Sequence, residues 1–357
     1  MKVHNFSAGP GILPAEVIEK AAAAVHSFQK VGLSILEISH RTKEYEAVVE
    51  EAELLVKKLL YLGDDYKIIF LQGGASLQFA MLPYNFLNTK AAYMNTGTWA
   101  SKAIEEAKLF GEVEVVASSQ SSNFNYIPKN YTIPSDADYF HVTSNNTIYG
   151  TQIKNLDIDS PVALVADMSS DIFSRCFDAT QYDLIYAGAQ KNMGPAGVTM
   201  VIVKNTFLSK IKKTIPSMLD YRTHAKNDSM YNTPPVYALY VAMLTLRWID
   251  DNGGIESMEK RNTAKANLLY TEVDRNSLFE GTVAVEDRSA MNANFVLKNK
   301  ELESIFDTYW QAANIYGLKG HRSVGGYRAS MYNALPIDSV EVLVATMQVF
   351  EQAILSL

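Results

Sequence analysis

A lysine stands where a buried strand gives way to a glycine-rich turn. The stretch "DLIYAGAQKNMGPAG" (183–197) starts as an apolar strand, passes through Gln190 to Lys191, and turns at Gly194 and Gly197. A lysine at the end of a buried strand loses hydration, which lowers the pKa of its amine and makes it a nucleophile toward a carbonyl. A turn lysine on its own is more often an exposed side chain, so the interpretation depends on its neighbours.

An aspartate ends a second apolar run, "VALVAD" (162–167), 24 residues before Lys191. A carboxylate at one strand end near a lysine at another is the pairing expected for pyridoxal phosphate. The lysine amine binds that cofactor, and the acid keeps its pyridine nitrogen protonated. The plainer alternative is that Asp167 caps the turn that follows it.

Further residues could complete such a site. In "IIFLQGGASLQFAML" a strand ends and a glycine pair turns the chain, so that Ala75 and Ser76 open a helix whose free N–H groups suit a phosphate. Trp99 in "NTGTWASKA" could stack on a cofactor ring, and Thr147 and Gln190 could donate neutral hydrogen bonds. A plain connection and core packing are the alternatives for the glycine turn and for Trp99.

Two basic clusters suggest a substrate with more than one anionic group. His40 and Arg41 are adjacent in "ISHRTKEY", while His321, Arg322 and Arg328 share the glycine-rich "LKGHRSVGGYRASMYNALP". Arginine binds carboxylate and phosphate groups in a bidentate manner. Solvated surface charge is the alternative for any one of these residues, but the adjacent glycines favour a shaped loop.

The elements that must position these residues form an α/β pattern. Several of the apolar runs have no polar position, as in strands covered on both faces by helices. The predicted strands are 67–72, 91–95, 112–118, 138–143, 162–168, 183–188 and 198–203. Seven strands before residue 205 predict a mostly parallel sheet between helices, with ligands outside the carboxyl ends of the strands.

Helices are predicted on both sides of this region, and a smaller α+β domain follows it. The predicted helices are 14–30, 43–62, 233–252, 255–276, 300–317 and 336–357, with a strand pair within 281–299. We therefore predict a large cofactor-binding domain (1–252), in which residues 1–14 form an arm near the small domain, and a small C-terminal domain (253–357).

Composition narrows the class of protein. The chain has 357 residues, 48% hydrophobic and 20% charged, and its formal charge of -7 argues against nucleic-acid or membrane-surface binding. The single cysteine, Cys176, excludes an internal disulfide and a cysteine zinc cluster, and we expect it in the core. With no visible secretory signal and no membrane-spanning apolar run, we expect a cytoplasmic enzyme without a metal.

With these residues assembled, the chain resembles the class V aminotransferases, fold type I enzymes that use pyridoxal phosphate. The likeness runs nearly end to end. It is carried by "NFSAGPGILP", "EISHRTKEYE", "GGASLQF", "GTWASKA", "ADMSSDIFSR", "YAGAQKNMGPAG", "NTPPVYAL" and "LKGHRSVGGYRASMYNALP". The sixth and eighth segments are specific to the family members that act on phosphoserine.

The resemblance implies roles for single residues. Lys191 would bind the cofactor covalently, Asp167 would pair with the pyridine nitrogen and Trp99 would stack on the ring. Thr147 and Gln190 would hold the polar edge of the ring, Ala75 and Ser76 the phosphate, and Asn232 and Thr233 the phosphate in a partner subunit, which implies a homodimer with shared active sites. Arg328 would take the α-carboxylate of the substrate, and His40, Arg41, His321 and Arg322 its distal carboxylate or phosphate.

The implied reaction is reversible transamination between O-phospho-L-serine and 2-oxoglutarate, giving 3-phosphohydroxypyruvate and L-glutamate in serine biosynthesis. A phosphorylated hydroxythreonine of vitamin B6 synthesis is a second expected substrate. One departure concerns phosphate binding: some members have "GGGRGQF" where this chain has "GGASLQF", so Ser76 replaces an arginine. We expect the remaining cationic residues to suffice.

Three alternatives are open at this point. An alanine- or serine-using class V aminotransferase would have less use for the His321 and Arg322 pair. A cysteine desulfurase needs a nucleophilic cysteine on a late mobile loop, and Cys176 lies elsewhere. A non-catalytic module that binds a phosphorylated metabolite would give Lys191 and Asp167 no joint task.

Overall fold

The computed structural model describes residues 2–356. The strands are β1 (His4–Asn5), β2 (Tyr66–Leu71), β3 (Lys90–Asn95), β4 (Glu112–Ser118), β5 (Tyr139–Thr143), β6 (Ala163–Asp167), β7 (Leu184–Gly188), β8 (Thr199–Lys204), β9 (Phe279–Gly281), β10 (Asn292–Leu297), β11 (Ile315–Tyr316) and β12 (Tyr327–Ser330). The helices are α1 (Ala15–His26), α2 (Lys43–Leu59), α3 (Gly74–Phe86), α4 (Thr98–Ala107), α5 (Asn205–Leu208), α6 (Tyr221–Lys226), α7 (Val236–Asp251), α8 (Gly254–Arg275), α9 (Glu303–Ala312) and α10 (Ile337–Leu355). Within the described residues, no helix combines the length and the apolar character needed to cross a membrane.

The large sheet has seven strands in the order β2-β8-β7-β6-β5-β3-β4. Strand β8 runs antiparallel to both β2 and β7, and the other pairs in the sheet are parallel. This arrangement confirms the predicted mostly parallel α/β sheet. The carboxyl ends of β6 and β7 are therefore neighbours at one edge of the sheet, with Asp167 opposite Tyr186 in the strand register.

The sheet forms because its central strands are buried and mostly apolar. Every residue of β5, β6 and β7 is buried. Leu164 and Ala166 face a core shared with α1, α2 and α7, whereas Ala163 and Val165 face a core shared with α3 and α4. Strands covered on both faces need no polar alternation, which explains the continuous hydrophobic runs in the sequence.

A second sheet, in the order β12-β10-β9, is antiparallel and packs on α8, α9 and α10. Its core contains edge-on and tilted ring pairs, among them Phe279 with Phe306 and Phe306 with Phe350. We expected a loop for the glycine-rich segment that contains Arg328, but the structure forms a strand in part of it. Gly325 and Gly326 turn the chain at φ +78° and +60°, and the next four residues pair with β10, so Arg328 lies on a strand.

The two parts of the chain are joined by shared elements. Ile255 and Met258 at the start of α8 belong to the core beneath the large sheet, while Leu269 further along α8 belongs to the core of the second sheet. At the other end of the chain, β1 pairs in parallel with β11, and Phe6 is buried in the second core. The division at residue 252 remains a prediction, since α8 contributes to both cores.

The expectation that Cys176 lies in the core is wrong, because its side chain is exposed. Phe173 is fully buried and Phe177 packs against the core beside it. These two aromatic side chains fill the interior at this connection, and Cys176, next to Phe177, faces outward.

Candidate active site

Lys191 lies three residues beyond the end of β7, with its amine turned toward a loop of the same edge. Its Nζ donates a hydrogen bond of 2.7 Å to Oγ1 of Thr147. The pKa of Lys191 is lowered to about 8, mainly by burial; the charge of Asp167 opposes this shift and the charge of Arg328 adds to it. An amine with this pKa is partly unprotonated near neutral pH and can act as a nucleophile or a base.

Asp167 is the last residue of β6, and both hydrogen bonds to its carboxyl group fall on one oxygen. Oδ1 accepts from the backbone N–H of Ser169 at 2.9 Å and from its hydroxyl at 2.6 Å. Burial raises the pKa of Asp167, while these hydrogen bonds and the charge of Lys191 act against the rise. The carboxyl group is thus oriented by Ser169, and its Oδ2 atom is left for a cationic ring nitrogen.

The sequence analysis did not identify Ser169. Its hydroxyl also accepts a hydrogen bond of 3.2 Å from the N–H of Gly188, so it connects the ends of β6 and β7. The spacing Asp-x-Ser at the end of a strand is the pattern of an Asx-turn, and this was the available signal.

The loop that carries Thr147 lies against the second sheet. Asn294 of β10 donates a hydrogen bond of 2.6 Å to the carbonyl of Ile148. Gly150 has φ +82°, and a Cβ there would lie 2.9 Å from the carbonyl oxygen of Asn292, so only glycine allows this approach. The loop is therefore positioned by β10, although it extends from the large sheet.

Arg328 reaches the same loop from β12. Its Nη1 donates to the carbonyl of Thr147 at 3.4 Å, and its Nε is buried with no hydrogen-bond partner among residues 2–356. Burial lowers the pKa of Arg328. A partly buried guanidinium group without a carboxylate partner is costly unless an anion binds it, so Arg328 is suited to a substrate carboxylate.

His321 and Arg322 lie on the segment that precedes β12. Nδ1 of His321 lies 2.7 Å from the hydroxyl of Ser323, and Arg322 is exposed. Burial and then the charges of Arg328, Arg322 and Lys102 lower the pKa of His321. The imidazole therefore lies in cationic surroundings, to which Lys102, not singled out in the sequence, contributes.

The start of α3 can hold a phosphate group. Gly73 adopts φ +92° before the helix, and the first turn has no acidic side chain. The N–H groups of Gly74, Ala75 and Ser76 belong to this turn, in which helical N–H groups have no partner within the helix. A phosphate is favoured there by these donors and by the helix dipole.

Two more side chains fit a cofactor ring. Trp99 is the second residue of α4 and is partly buried, and its Nε1 has no hydrogen-bond partner in the described part of the chain. Gln190 folds back over the end of β7, since a Cβ at Gly188 would lie 2.6 Å from its Oε1. An aromatic face, an amide and an unpaired donor near the strand ends are consistent with pyridoxal phosphate.

The N-terminal arm contacts Lys191 and the residue before it. The N–H of Gly11 donates to the carbonyl of Gln190 at 2.7 Å, and the hydroxyl of Tyr332 donates to the carbonyl of Ala8 at 2.6 Å. A Cβ at Gly9 would lie 3.8 Å from Cγ of Lys191. Residues 8–11 thus pass between Lys191 and the segment after β12.

Other predicted site residues form no hydrogen bond or ion pair with Lys191 among residues 2–356. The carbonyl of Thr233 accepts a hydrogen bond of 3.1 Å from Gln72, which places the "YNTPP" segment, with Asn232, beside the turn before α3. Arg41 is exposed and His40 has a buried Nε2; among residues 2–356 neither forms a hydrogen bond or ion pair to the groups around Lys191. The loop before them packs through Ile35 and Ile38 on the core of α1, α2 and α7, on the other face of the sheet from Trp99.

The chain matches known proteins along almost its whole length. Residues 3–343 match the family model described as "Aminotransferase class-V". A phosphoserine aminotransferase of Flavobacterium psychrophilum is 62% identical, over 99% of this chain and 100% of the relative. One of Bacteroides thetaiotaomicron is 58% identical over 99% of each chain.

Solved structures agree with this relationship. A phosphoserine aminotransferase from Bacillus circulans subsp. alkalophilus has a TM-score of 0.96 at 47% identity, with 99% of each chain covered. The chain therefore belongs to the class V aminotransferases. By its full-length relatives, its place within that class is the phosphoserine aminotransferase family.

Proposed function

We propose that this protein catalyses the reversible transfer of an amino group between O-phospho-L-serine and 2-oxoglutarate, with pyridoxal phosphate as cofactor. The full-length relatives carry the name of this activity, and a structure from Trichomonas vaginalis, 37% identical with a TM-score of 0.93 over 97% of this chain and 100% of that one, is described as bound to this cofactor. The observation that carries the proposal is the partly buried amine of Lys191 beside the buried carboxyl group of Asp167. A non-catalytic binding module would have no use for this pair.

The residues that would hold the cofactor are Lys191, Asp167, Trp99, Thr147, Gln190, Ala75 and Ser76, together with Asn232 and Thr233 of a partner subunit. When bound, pyridoxal phosphate stores the amino group between the two half-reactions and takes up the electrons that the departing α-proton leaves behind. Asp167 would supply the negative charge that keeps the ring nitrogen of the cofactor protonated. Ser169 keeps that carboxyl group oriented and opposes its protonation.

Lys191 moves the proton. Burial keeps part of the Lys191 amine population unprotonated. When not engaged with the cofactor, its Nζ would be able to accept the α-proton of the amino acid as a base and to donate a proton as an acid. Thr147 holds Nζ at one end of this path.

Arg328 and the other cations orient the substrate. We assign the α-carboxylate to the guanidinium group of Arg328, whose Nε has no hydrogen-bond partner among the described residues. The distal group is a γ-carboxylate in glutamate and a phosphate in phosphoserine, and we assign it to His321 and Arg322 together with His40 and Arg41. Exposed arginine side chains are long enough to adjust to both groups.

We further propose a homodimer with shared active sites. The loops that carry His40 and Thr233 expose large apolar side chains, with Leu36 at 62% and Tyr231 at 42% exposure, and such patches are typical of interfaces. A partner's loop would bring His40 and Arg41 to a site that they do not contact within their own chain.

Complementation tests the shared site directly. Lys191→Ala and Arg41→Ala homodimers should each be nearly inactive, whereas subunits mixed after dissociation should recover about a quarter of the wild-type activity. Random pairing makes half the dimers mixed, and each of these has one intact site. A mixture as inactive as its parents would contradict shared sites.

Three finer assignments belong to the same proposal. The first is 4-phosphohydroxy-L-threonine of vitamin B6 synthesis as a second substrate, supported by the adjustable cations at the distal end. The second is a division into domains 1–252 and 253–357 with an arm at 1–14, supported by the separate cores under the two sheets. The third is a cytoplasmic location, supported by the single cysteine, which needs no oxidising compartment.

A coupled assay tests the main proposal. Purified protein with phosphoserine and 2-oxoglutarate should form glutamate, and its visible absorption should disappear on borohydride reduction and be absent in Lys191→Ala. Pyruvate should be a poor acceptor. Equal efficiency with pyruvate would favour an enzyme for small amino acids, and a colourless protein indifferent to added cofactor would favour a binding module.

A further inference from the structure

Lys102 lies at the junction between the cofactor side of the site and the cationic segment before β12. It is three residues after Trp99 on α4, so the two side chains share a helix face. The Nζ of Lys102 lies 5.0 Å from the centroid of the Trp99 ring. Lys102 is exposed, and its charge is among those that lower the pKa of His321. The amine therefore lies beside Trp99, and its charge acts on His321.

The charges around Lys102 are unbalanced. Within residues 2–356, Lys102, Arg322 and Arg328 form no ion pair with a carboxylate, although nearby Lys319 pairs with Asp307 at 2.6 Å. Glu106 stands one turn further along α4, a position from which a glutamate commonly pairs with a lysine, yet it does not pair with Lys102. Several cations from two parts of the chain thus share one region, and an anion would relieve their mutual repulsion.

We propose that Lys102 is a specificity-determining residue that binds the distal anionic group of the substrate from the side of α4. Because its amine lies beside Trp99 and its charge acts on His321, we place the distal group between α4 and the segment before β12. This inference rests on the proposed function. It adds Lys102 of α4 to the distal-anion subsite, which is otherwise assigned to the segment before β12 and to the loop that carries His40 and Arg41.

The distal charge predicts how substrates will differ. A phosphate near neutral pH carries more negative charge than a γ-carboxylate. Loss of Lys102 should therefore weaken the binding of phosphoserine more than the binding of glutamate. L-alanine has no distal anionic group, so its Kd should not change when Lys102 is replaced. Lys108, exposed near the end of the same helix, offers a matched control for loss of one surface charge.

The experiment measures each half-reaction of the holoenzyme separately, by rapid-mixing absorbance, with phosphoserine, glutamate and alanine. We expect Lys102→Met to raise the Kd of phosphoserine about tenfold and that of glutamate less, with the maximal rate within about twofold. Lys102→Arg should restore most of the affinity, and Lys108→Met should match the wild type.

The outcomes separate this inference from the proposed function. Unchanged Kd values for phosphoserine and glutamate in Lys102→Met would overturn it. So would an equal loss for alanine, or a shifted cofactor spectrum with a lower maximal rate, because Lys102 would then only support Trp99. If the wild type did not accept phosphoserine, the proposed function would fail, and the inference would be judged on glutamate against alanine.

Discussion

The ε-amine of Lys191 and the hydroxyl of Thr147 are joined by a hydrogen bond of 2.7 Å, although the two residues are 44 positions apart. The backbone carbonyl of the same threonine accepts a hydrogen bond from Arg328. One residue thus contacts both the group assigned to proton transfer and the group assigned to the substrate carboxylate. The relative position of these two cations depends on the loop that carries Thr147.

Thr147→Val should weaken cofactor binding about tenfold, because the isosteric change removes only the hydroxyl group and one hydrogen bond is lost. Absorbance titration of the cofactor-free protein would measure the change. Thr147→Ser keeps the hydroxyl group and should bind nearly as the wild type does. Equal affinity of Thr147→Val and Thr147→Ser would show that the hydroxyl group has no part in binding.

Ser169→Ala should lower kcat about fivefold to tenfold, because Asp167 loses the hydrogen bond of 2.6 Å from the serine hydroxyl. That bond holds the pKa of Asp167 down, so the acidic limb of the kcat profile should move to higher pH. A pH series on Ser169→Ala and Ser169→Thr would test this, with Ser169→Thr close to the wild type. A drop in kcat without any movement of the acidic limb would point to a purely structural role.

Arg328→Lys should reduce kcat/KM about a hundredfold for every amino acid substrate, since lysine cannot bind a carboxylate in a bidentate manner. The kcat/KM for alanine should fall as much as that for phosphoserine, because both substrates have the α-carboxylate. Arg322→Lys serves as the control and should affect only substrates with a distal anionic group. Normal kinetics of Arg328→Lys with alanine would remove Arg328 from the α-carboxylate subsite.

The stability of the cofactor-free protein should depend on pH through Lys191. Its pKa is lowered from 10.5 to about 8 by burial, so the unfolded chain binds more protons than the folded chain between these values. The contribution of this group to stability therefore increases with pH from about 8 to 10.5 and is unfavourable below 8. The free energy of unfolding of Lys191→Met should rise by about 3 kcal/mol relative to that of the wild type on going from pH 10.5 to pH 7.

Urea unfolding of the two cofactor-free proteins across this pH range would measure that difference. Groups common to both proteins cancel in the comparison. A difference that is independent of pH would mean that the amine of Lys191 keeps its ordinary pKa in the fold.

The sequence carried enough information to predict the large sheet, because strands buried on both faces form nearly continuous apolar runs. Lys191 and Asp167 could be found for a related reason: a charged residue that ends such a run stands out. Arg328 was identified as a site residue, but strand β12 was not predicted, since the two glycines just before it are typical of a loop. The strand is defined by its pairing with β10 and not by a local sequence pattern.

Other features depend on tertiary contacts that leave no local pattern. Ser169 looks like any turn serine until its hydroxyl group reaches both Asp167 and the end of β7. Lys102 looks like a solvated lysine on a polar helix face, and only the docking of the segment before β12 gives it cationic neighbours. Cys176 was misplaced because cysteine is usually buried, whereas here the flanking phenylalanines occupy the interior.

The arm of residues 8–11 has a consequence for how the protein is made. The hydroxyl of Tyr332 binds the carbonyl of Ala8 across 324 positions, and Gly11 binds the residue before Lys191. The contacts that position residues 8–11 beside the amine of Lys191 are therefore complete only after the last tenth of the chain has left the ribosome and packed against the N-terminal arm. During synthesis, a nascent chain that already contains the whole large sheet still lacks a finished site.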